Sequence, residues 1–172
     1  LSMPVTRAVN TAIERVAPQR DAVIDDIAGY AASDLLCHRA DRPAGLAAAQ
    51  AAAWDPPLVW LAEAVGARLA VTAGVMPSAQ SPKALKAVRA AVARRSDLEL
   101  TALHELTTLS GSVALALMVA EAAIPAAQAW RASRVDEEWQ IAEWGRDEEA
   151  EAAAARRARA FLEADALLRL LG

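Results

Sequence analysis

The alanine content of this chain constrains its fold more than any other feature of the sequence. Alanine occupies 46 of the 172 positions, and it loses no side-chain entropy in a helix. Residues that favour strands are scarce, with only one Phe and one Tyr. The chain contains no internal repeat and no linker rich in Ser or Gly. We therefore predict an all-α fold, a mainly helical orthogonal bundle, in which residues 1–172 form a single domain.

Prolines and capping residues divide the chain into predicted helices. Ser81 before Pro82 has the pattern of an N-cap followed by a first-turn proline. Asp55 before Pro56 has the same pattern and predicts a helix start, and Asp97 is predicted to cap a third helix. The predicted helices cover residues 5–17, 21–28, 44–53, 56–65, 82–94, 98–109, 113–123 and 147–171. Between the last two, Pro125 opens a segment that carries Trp130, and a charged stretch, 133–144, ends at Gly145.

Apolar spacing predicts which faces of these helices are buried. The segment 113–123 is apolar nearly all round, which is typical of a central helix. Ile13 and Val16 are expected to face inward from the first helix, and Leu168 and Leu171 from the last. Two segments stay open at this level, because 34–40 fits a strand or a helical turn and 68–75 is a possible short strand.

Several classes of site and partner are disfavoured by the residues present. Cys37 is the only cysteine, so neither a disulfide framework nor a multi-cysteine zinc site is expected. His104 is followed one turn later by Thr108, where a zinc-binding helix would carry a second histidine. The longest apolar run is too short for a bilayer. The sequence pI is about 5.2, and the basic stretches contain no aromatic residue. We expect no metal or other cofactor, no membrane insertion and no nucleic-acid partner.

The charge is concentrated in one acidic segment, residues 136–151, which carries eight carboxylates against one arginine. Trp139 and Trp144 lie inside it. A charge run of this kind is usually the solvated face of a helix. If Trp139 packs inward, however, Asp136 lies on the same side, and the remaining carboxylates can rim an apolar patch. Because tryptophan is enriched at binding hot spots, this segment is the strongest candidate for a recognition surface.

Several motifs occur in a characteristic order along the chain. They are Asp34-Leu35-Leu36-Cys37-His38-Arg39, Gln50-x-x-x-Trp54-Asp55-Pro56, Ser110-Gly111-Ser112, Ser133-Arg134-Val135-Asp136-Glu137-Glu138-Trp139-Gln140 and Trp144-Gly145. In combination they resemble the assembly chaperones that bind the alpha subunit of the F-type ATP synthase catalytic head. Members of that family have a β-containing N-terminal domain before a helical domain, and the resemblance implies that this chain is the helical domain alone.

The resemblance implies a chaperone that binds the unassembled alpha subunit, masks its sticky interface and promotes assembly of the complex. It makes Glu137 the family's acidic residue, with Asp136, Glu138, Trp139 and Trp144 as further partner-binding residues. No catalytic residue is required. We expect a monomer in the bacterial cytoplasm, or in the mitochondrial matrix if the source is eukaryotic.

Four residues are predicted to have structural roles. Trp54, Asp55 and Pro56 stand at the predicted helix start, where the Trp54 ring can join two helices. Gly111 lies between two serines, where two helices are expected to approach closely.

Two other functions stay open at the level of sequence. One is a hydrolase that uses paired carboxylates of the acidic segment, which requires a carboxyl with a raised pKa in a concave site. The other is a helical module with a purely structural role in an assembly.

Overall fold

The computed structural model describes residues 3–74 and 78–171, and it confirms the mainly helical fold. The helices are α1 Met3–Thr11, α2 Arg20–Gly29, α3 Ala44–Trp60, α4 Pro82–Ala93, α5 Asp97–Ser110, α6 Val113–Ala120, α7 Ala126–Ser133, α8 Val135–Trp144 and α9 Glu148–Leu171. Two of them, α1 and α3, continue into π-helical turns at Ala12–Val16 and Leu61–Val65.

The core forms around α6, as the apolar run predicted. Every residue from Val113 to Val119 is buried. α6 packs against α5, α3, α7 and α9, and α5 also packs along α9. A helix that is apolar on all sides is stable only where other helices cover all its faces, and α6 has that position.

Two short strands account for the two segments that the sequence left open. Residues Leu35–Cys37 form a 3₁₀ turn, and β1 follows directly at His38–Arg39. β1 pairs in parallel with β2, Thr72–Ala73, so that His38 lies opposite Thr72. The first segment is therefore both turn and strand. The possible strand at 68–75 is confirmed at Thr72–Ala73, and Val75 lies outside the described residues.

The prediction that a new helix starts at Asp55 is wrong. α3 runs without interruption through Pro56 and Pro57 to Trp60. Proline inside a helix removes backbone hydrogen bonds and costs about 3 kcal/mol. That cost is offset here because the continuous helix places Trp54 and Pro57 in buried positions. Asp55 does not act as an N-cap, and its carboxylate instead pairs with Arg39 at 2.8 Å.

The predicted helix caps are correct at one site and displaced at another. The hydroxyl of Ser81 accepts a hydrogen bond from Ala84 N at 3.1 Å, so the predicted start of α4 is confirmed. α5 is capped by Ser96, not by Asp97, because Ser96 and Glu99 form a reciprocal capping box. Asp97 is the first residue inside the helix, where it pairs with Arg20.

Two residues predicted to be buried are exposed. The π-helical turn changes the helical phase after α1, so that Ala12 and Val16 are buried while Ile13 is 65% exposed. In α9 the buried stripe runs through Phe161, Ala164, Leu167 and Leu168, and Leu171 at the end of the helix is exposed. Among the described residues, no helix is long and apolar enough to span a bilayer.

Candidate functional site

The segment between α2 and β1 is joined to the start of α6 through Asp34. The Asp34 carboxylate is fully buried and accepts hydrogen bonds from Leu36 N at 3.0 Å and Ala114 N at 3.2 Å. Ser112 is the N-cap of α6 and accepts from Leu115 N at 3.1 Å. Burial raises the pKa of Asp34 to about 6. Two of the sequence motifs, separated by more than 70 residues, thus meet at one helix N-terminus.

Gly111 forms the turn that brings these motifs together. Its φ of 72° ends α5 in the left-handed region, which glycine adopts without strain. The Gly111 carbonyl accepts a hydrogen bond from Leu35 N at 3.1 Å, and a Cβ at position 111 would lie 3.7 Å from the Leu35 Cβ. The close approach at this glycine is therefore between the α5–α6 turn and the segment that carries Leu35.

Trp54 joins α3 to α7. Its ring is fully buried, and its indole N–H donates to the Ala132 carbonyl at 2.7 Å. The guanidinium of Arg39 lies 5.3 Å from the ring centroid and donates to the Leu36 carbonyl at 2.8 Å. Arg39 also holds Asp55, so that the Trp-Asp-Pro motif is fastened to the turn before β1.

The helix α8 is attached to α3 by two contacts. Trp139 packs so closely on Gly45 that a Cβ there would lie 2.6 Å from the ring atom Cη2. One turn earlier on α8, Asp136 accepts a hydrogen bond from the buried Gln50 amide at 2.7 Å. Gln50 accepts in turn from Ala40 N at 2.8 Å. Sequence reasoning assigned no role to Gly45, although a glycine near the start of an alanine-rich helix was a usable signal.

A groove of about 250 Å³ opens where the α5–α6 turn, α7, α8 and α9 meet. The ring of Trp130 forms one wall of the groove. The centroids of the Trp130 and Phe161 rings are 5.6 Å apart. The guanidinium groups of Arg134 and Arg157 lie 5.6 Å and 5.8 Å from the centroid of the Trp130 ring. Arg157 also donates to the Leu109 carbonyl at 2.9 Å. Cation–π attraction therefore holds two positive charges beside the groove.

The carboxylates of Asp136 and Glu137 line this groove. The side chain of Glu137 is 45% exposed, and that of the next residue, Glu138, is more exposed. The carboxylates of Glu137 and Glu138 both lie 3.7 Å from the same guanidinium, that of Arg134, whose side chain is only 12% exposed. At that separation the pairs are electrostatic contacts and not hydrogen bonds.

The five predicted partner-binding residues are thus divided between two sides of α8. Asp136 and Trp139 contact α3, and Asp136 also lines the groove together with Glu137, while Glu138 is exposed to solvent. Trp144 projects from the last turn with 88% of its surface exposed. Whether these residues bind a partner stays a prediction.

Two further side chains of potential chemical interest, Cys37 and His104, are buried and paired, respectively. Cys37 is buried, and burial raises the pKa of its thiol to about 12. His104 lies 2.8 Å from a carboxylate oxygen of Asp26. Within the described ranges, no group of three or more His, Cys, Asp or Glu side chains is arranged to hold a metal ion.

Comparison with known proteins decides the family. Residues 1–62 match the family model of the ATP12 chaperone protein. The crystal structure of Atp12 from Paracoccus denitrificans superposes with a TM-score of 0.95 at 48% sequence identity, over 98% of this chain and 72% of that one. This chain belongs to the ATP12 chaperone family. The family that the sequence motifs indicated is therefore confirmed.

A second solved structure, from another bacterium, has the same fold. The Atu1473 protein of Agrobacterium tumefaciens superposes with a TM-score of 0.94 at 40% identity, covering 99% of this chain and 64% of that one. Both structures match nearly the whole of this chain.

Proposed function

We propose that this chaperone binds the unassembled alpha subunit of the F-type ATP synthase catalytic head, masks its apolar interface and promotes assembly of the complex. A subunit that awaits its neighbours exposes apolar surface, which drives aggregation until it is covered. The observation that carries the proposal is the position of Glu137, whose carboxylate lies half-exposed at a groove walled by Trp130.

The groove suits a partner that must later be released. The aromatic wall of the groove supplies contact area. The carboxylates at its rim supply an electrostatic attraction whose strength depends on the neighbouring charges. An interface of the standard size, about 1,600 Å² in total, gives useful affinity while yielding to the larger permanent contacts of an assembled complex. In this proposal Asp136, Glu137, Glu138, Trp139 and Trp144 are the partner-binding residues.

Residues 1–172 act in this proposal as a single helical domain and as a monomer. The buried residues of the described helices form one hydrophobic cluster, which supports a single domain. The location proposed is the bacterial cytoplasm, in keeping with the bacterial sources of the two matching structures.

The hydrolase alternative is not favoured. It requires a carboxyl with a raised pKa in a concave site, and the raised pKa of Asp34 belongs to a group buried among backbone amides. Asp34 does not line the groove. We propose that the protein has no catalytic activity.

Charge reversal at Glu137 tests the proposal. Loss of a closely paired charge at an interface costs about 2–5 kcal/mol, so Glu137→Lys is expected to weaken capture of purified alpha subunit by about 30-fold or more. Because Arg134 and Arg157 lie nearby, Glu137→Gln is measured as well, since it removes the charge without adding repulsion. Glu149→Lys, at an exposed position in the first turn of α9, is the matched control.

Capture by surface plasmon resonance and melting temperature are measured on the same preparations. We expect both Glu137 variants to lose binding with their melting temperatures retained, and the control to bind like the wild type. Capture that is unimpaired in both Glu137 variants contradicts the assignment of this residue. A wild-type protein that neither captures the alpha subunit nor slows its aggregation contradicts the proposed function itself.

A further inference from the structure

The faces of α8 are used unequally within the fold. Asp136 and Trp139 are engaged with α3, through the Gln50 amide and the backbone at Gly45. On the side of the helix turned away from α3, Glu137, Ile141 and Trp144 follow each other at spacings of four and three residues. Residues with these spacings lie on one helical face. They form a stripe two turns long, which we call the α8 stripe.

The α8 stripe has a charged end and an apolar end. Glu137 marks the end at the groove, and Trp144 marks the other, with 88% of its surface in contact with solvent. They lie seven positions apart in the sequence, which corresponds to about 10 Å along the helix axis. Burial of a tryptophan ring removes about 150–250 Å² from water, so an exposed ring at this position is a strong anchor for a partner.

The charged end is prepared to receive a cation. Glu137 and Glu138 share the guanidinium of Arg134 at 3.7 Å each, beyond hydrogen-bond distance. Arg134 is itself held against the Trp130 ring. Its guanidinium therefore approaches the carboxylates of Glu137 and Glu138 from one fixed side. The carboxylate oxygens on the outer side therefore remain able to accept hydrogen bonds from a second guanidinium or ammonium group.

We infer that the α8 stripe is the surface that grips the partner, and that the partner segment carries a basic side chain for Glu137 and an apolar side chain, about 10 Å away, for Trp144. The inference rests on the proposed function, and it identifies the chemistry of the alpha-subunit segment. This inference narrows the set of partner-binding residues proposed above. Trp139 becomes a positioning residue, because it holds α8 on α3, whereas Asp136 holds α8 through the Gln50 amide and also lines the groove.

Binding of the alpha subunit is measured for Trp144→Ala, for the conservative Trp144→Phe, and for Leu170→Ala. Leu170 is the control, since it is also a large exposed apolar residue, 70% exposed on α9. We expect Trp144→Ala to weaken binding by about 30-fold or more, as at a hot spot. Trp144→Phe should restore most of the affinity, and Leu170→Ala should bind like the wild type, all with unchanged melting temperatures.

Photo-crosslinking identifies the partner segment. A benzoylphenylalanine at position 144 is expected to crosslink to the alpha subunit, whereas one at Ala142, an exposed position on a different face of α8, should not. The crosslinked peptide should contain or adjoin a Lys or Arg. Changing that residue to Glu should restore binding to Glu137→Lys.

The outcomes separate this inference from the proposed function. If Glu137 variants lose the alpha subunit while Trp144→Ala binds like the wild type, the α8 stripe is wrong and the proposed function stands. Crosslinking from position 142 in place of 144 also overturns it, as does a concentration-dependent dimer that Trp144→Ala abolishes. If the wild-type protein does not bind the alpha subunit, both proposals fall.

Discussion

Truncation of Trp54 is expected to remove most of the stability of this fold. Loss of a fully buried tryptophan ring costs about 3–5 kcal/mol, and Trp54 is fully buried. Its indole N–H also serves the Ala132 carbonyl in the last turn of α7, where a helix has no internal donor for that group. An unsatisfied buried acceptor adds about 1–3 kcal/mol. The total, about 4–8 kcal/mol, is comparable with the whole stability of many domains, about 5–15 kcal/mol.

Urea unfolding of Trp54→Ala and Trp54→Phe separates the two contributions. Phenylalanine keeps most of the buried ring and loses the hydrogen bond, so Trp54→Phe should be destabilised by about 1–3 kcal/mol. Trp144→Ala is the matched control, because the same substitution at an exposed ring should cost less than about 0.5 kcal/mol. A Trp54→Ala variant within about 1 kcal/mol of the wild type would refute this reasoning.

Two further predictions concern α3 and the segment before β1. Gly45→Ala should destabilise the protein by about 1–3 kcal/mol, because the added Cβ overpacks against Trp139. In a Trp139→Ala background the same change should stabilise the protein by up to about 1 kcal/mol, because alanine favours the helix more than glycine does. If urea unfolding gives the same sign in both backgrounds, the Gly45–Trp139 contact is contradicted. The pKa of Asp34 is about 6 in the folded protein against 3.8 in the unfolded chain, so this carboxyl makes stability fall as pH rises through both values, by about 3 kcal/mol between about pH 3 and about pH 7. The stability difference between wild type and Asp34→Asn should therefore shrink by that amount over this range, and a constant difference refutes the assignment.

Local sequence signals were sufficient where the deciding residues lie within a few positions of each other. Ser81 and Pro82 predicted the start of α4, since an N-cap bonds to an amide three residues away. The apolar run predicted that α6 is central, because no polar face was present to meet water. The ordered motifs predicted the family, which the comparison with Atp12 confirms.

The same signals failed where two local solutions compete. Asp55-Pro56 fits a helix start, but burial of Trp54 and Pro57 favours one continuous α3. Ser96 and Asp97 can each cap a helix, and Ser96 prevails because Glu99 completes the capping box only for that residue. Packing therefore overrides the local signal at Asp55-Pro56, whereas a second local contact decides between Ser96 and Asp97.

The sequence by itself determined a helical chaperone fold and an acidic segment with two tryptophans. Only the tertiary structure decided how that segment is used. The Gln50 amide meets Asp136 across 86 residues of sequence, and Gly45 admits the Trp139 ring. These contacts assign one side of α8 to α3 and leave Glu137 and Trp144 on the other. Their cause is the approach of two distant helices, which no local periodicity records.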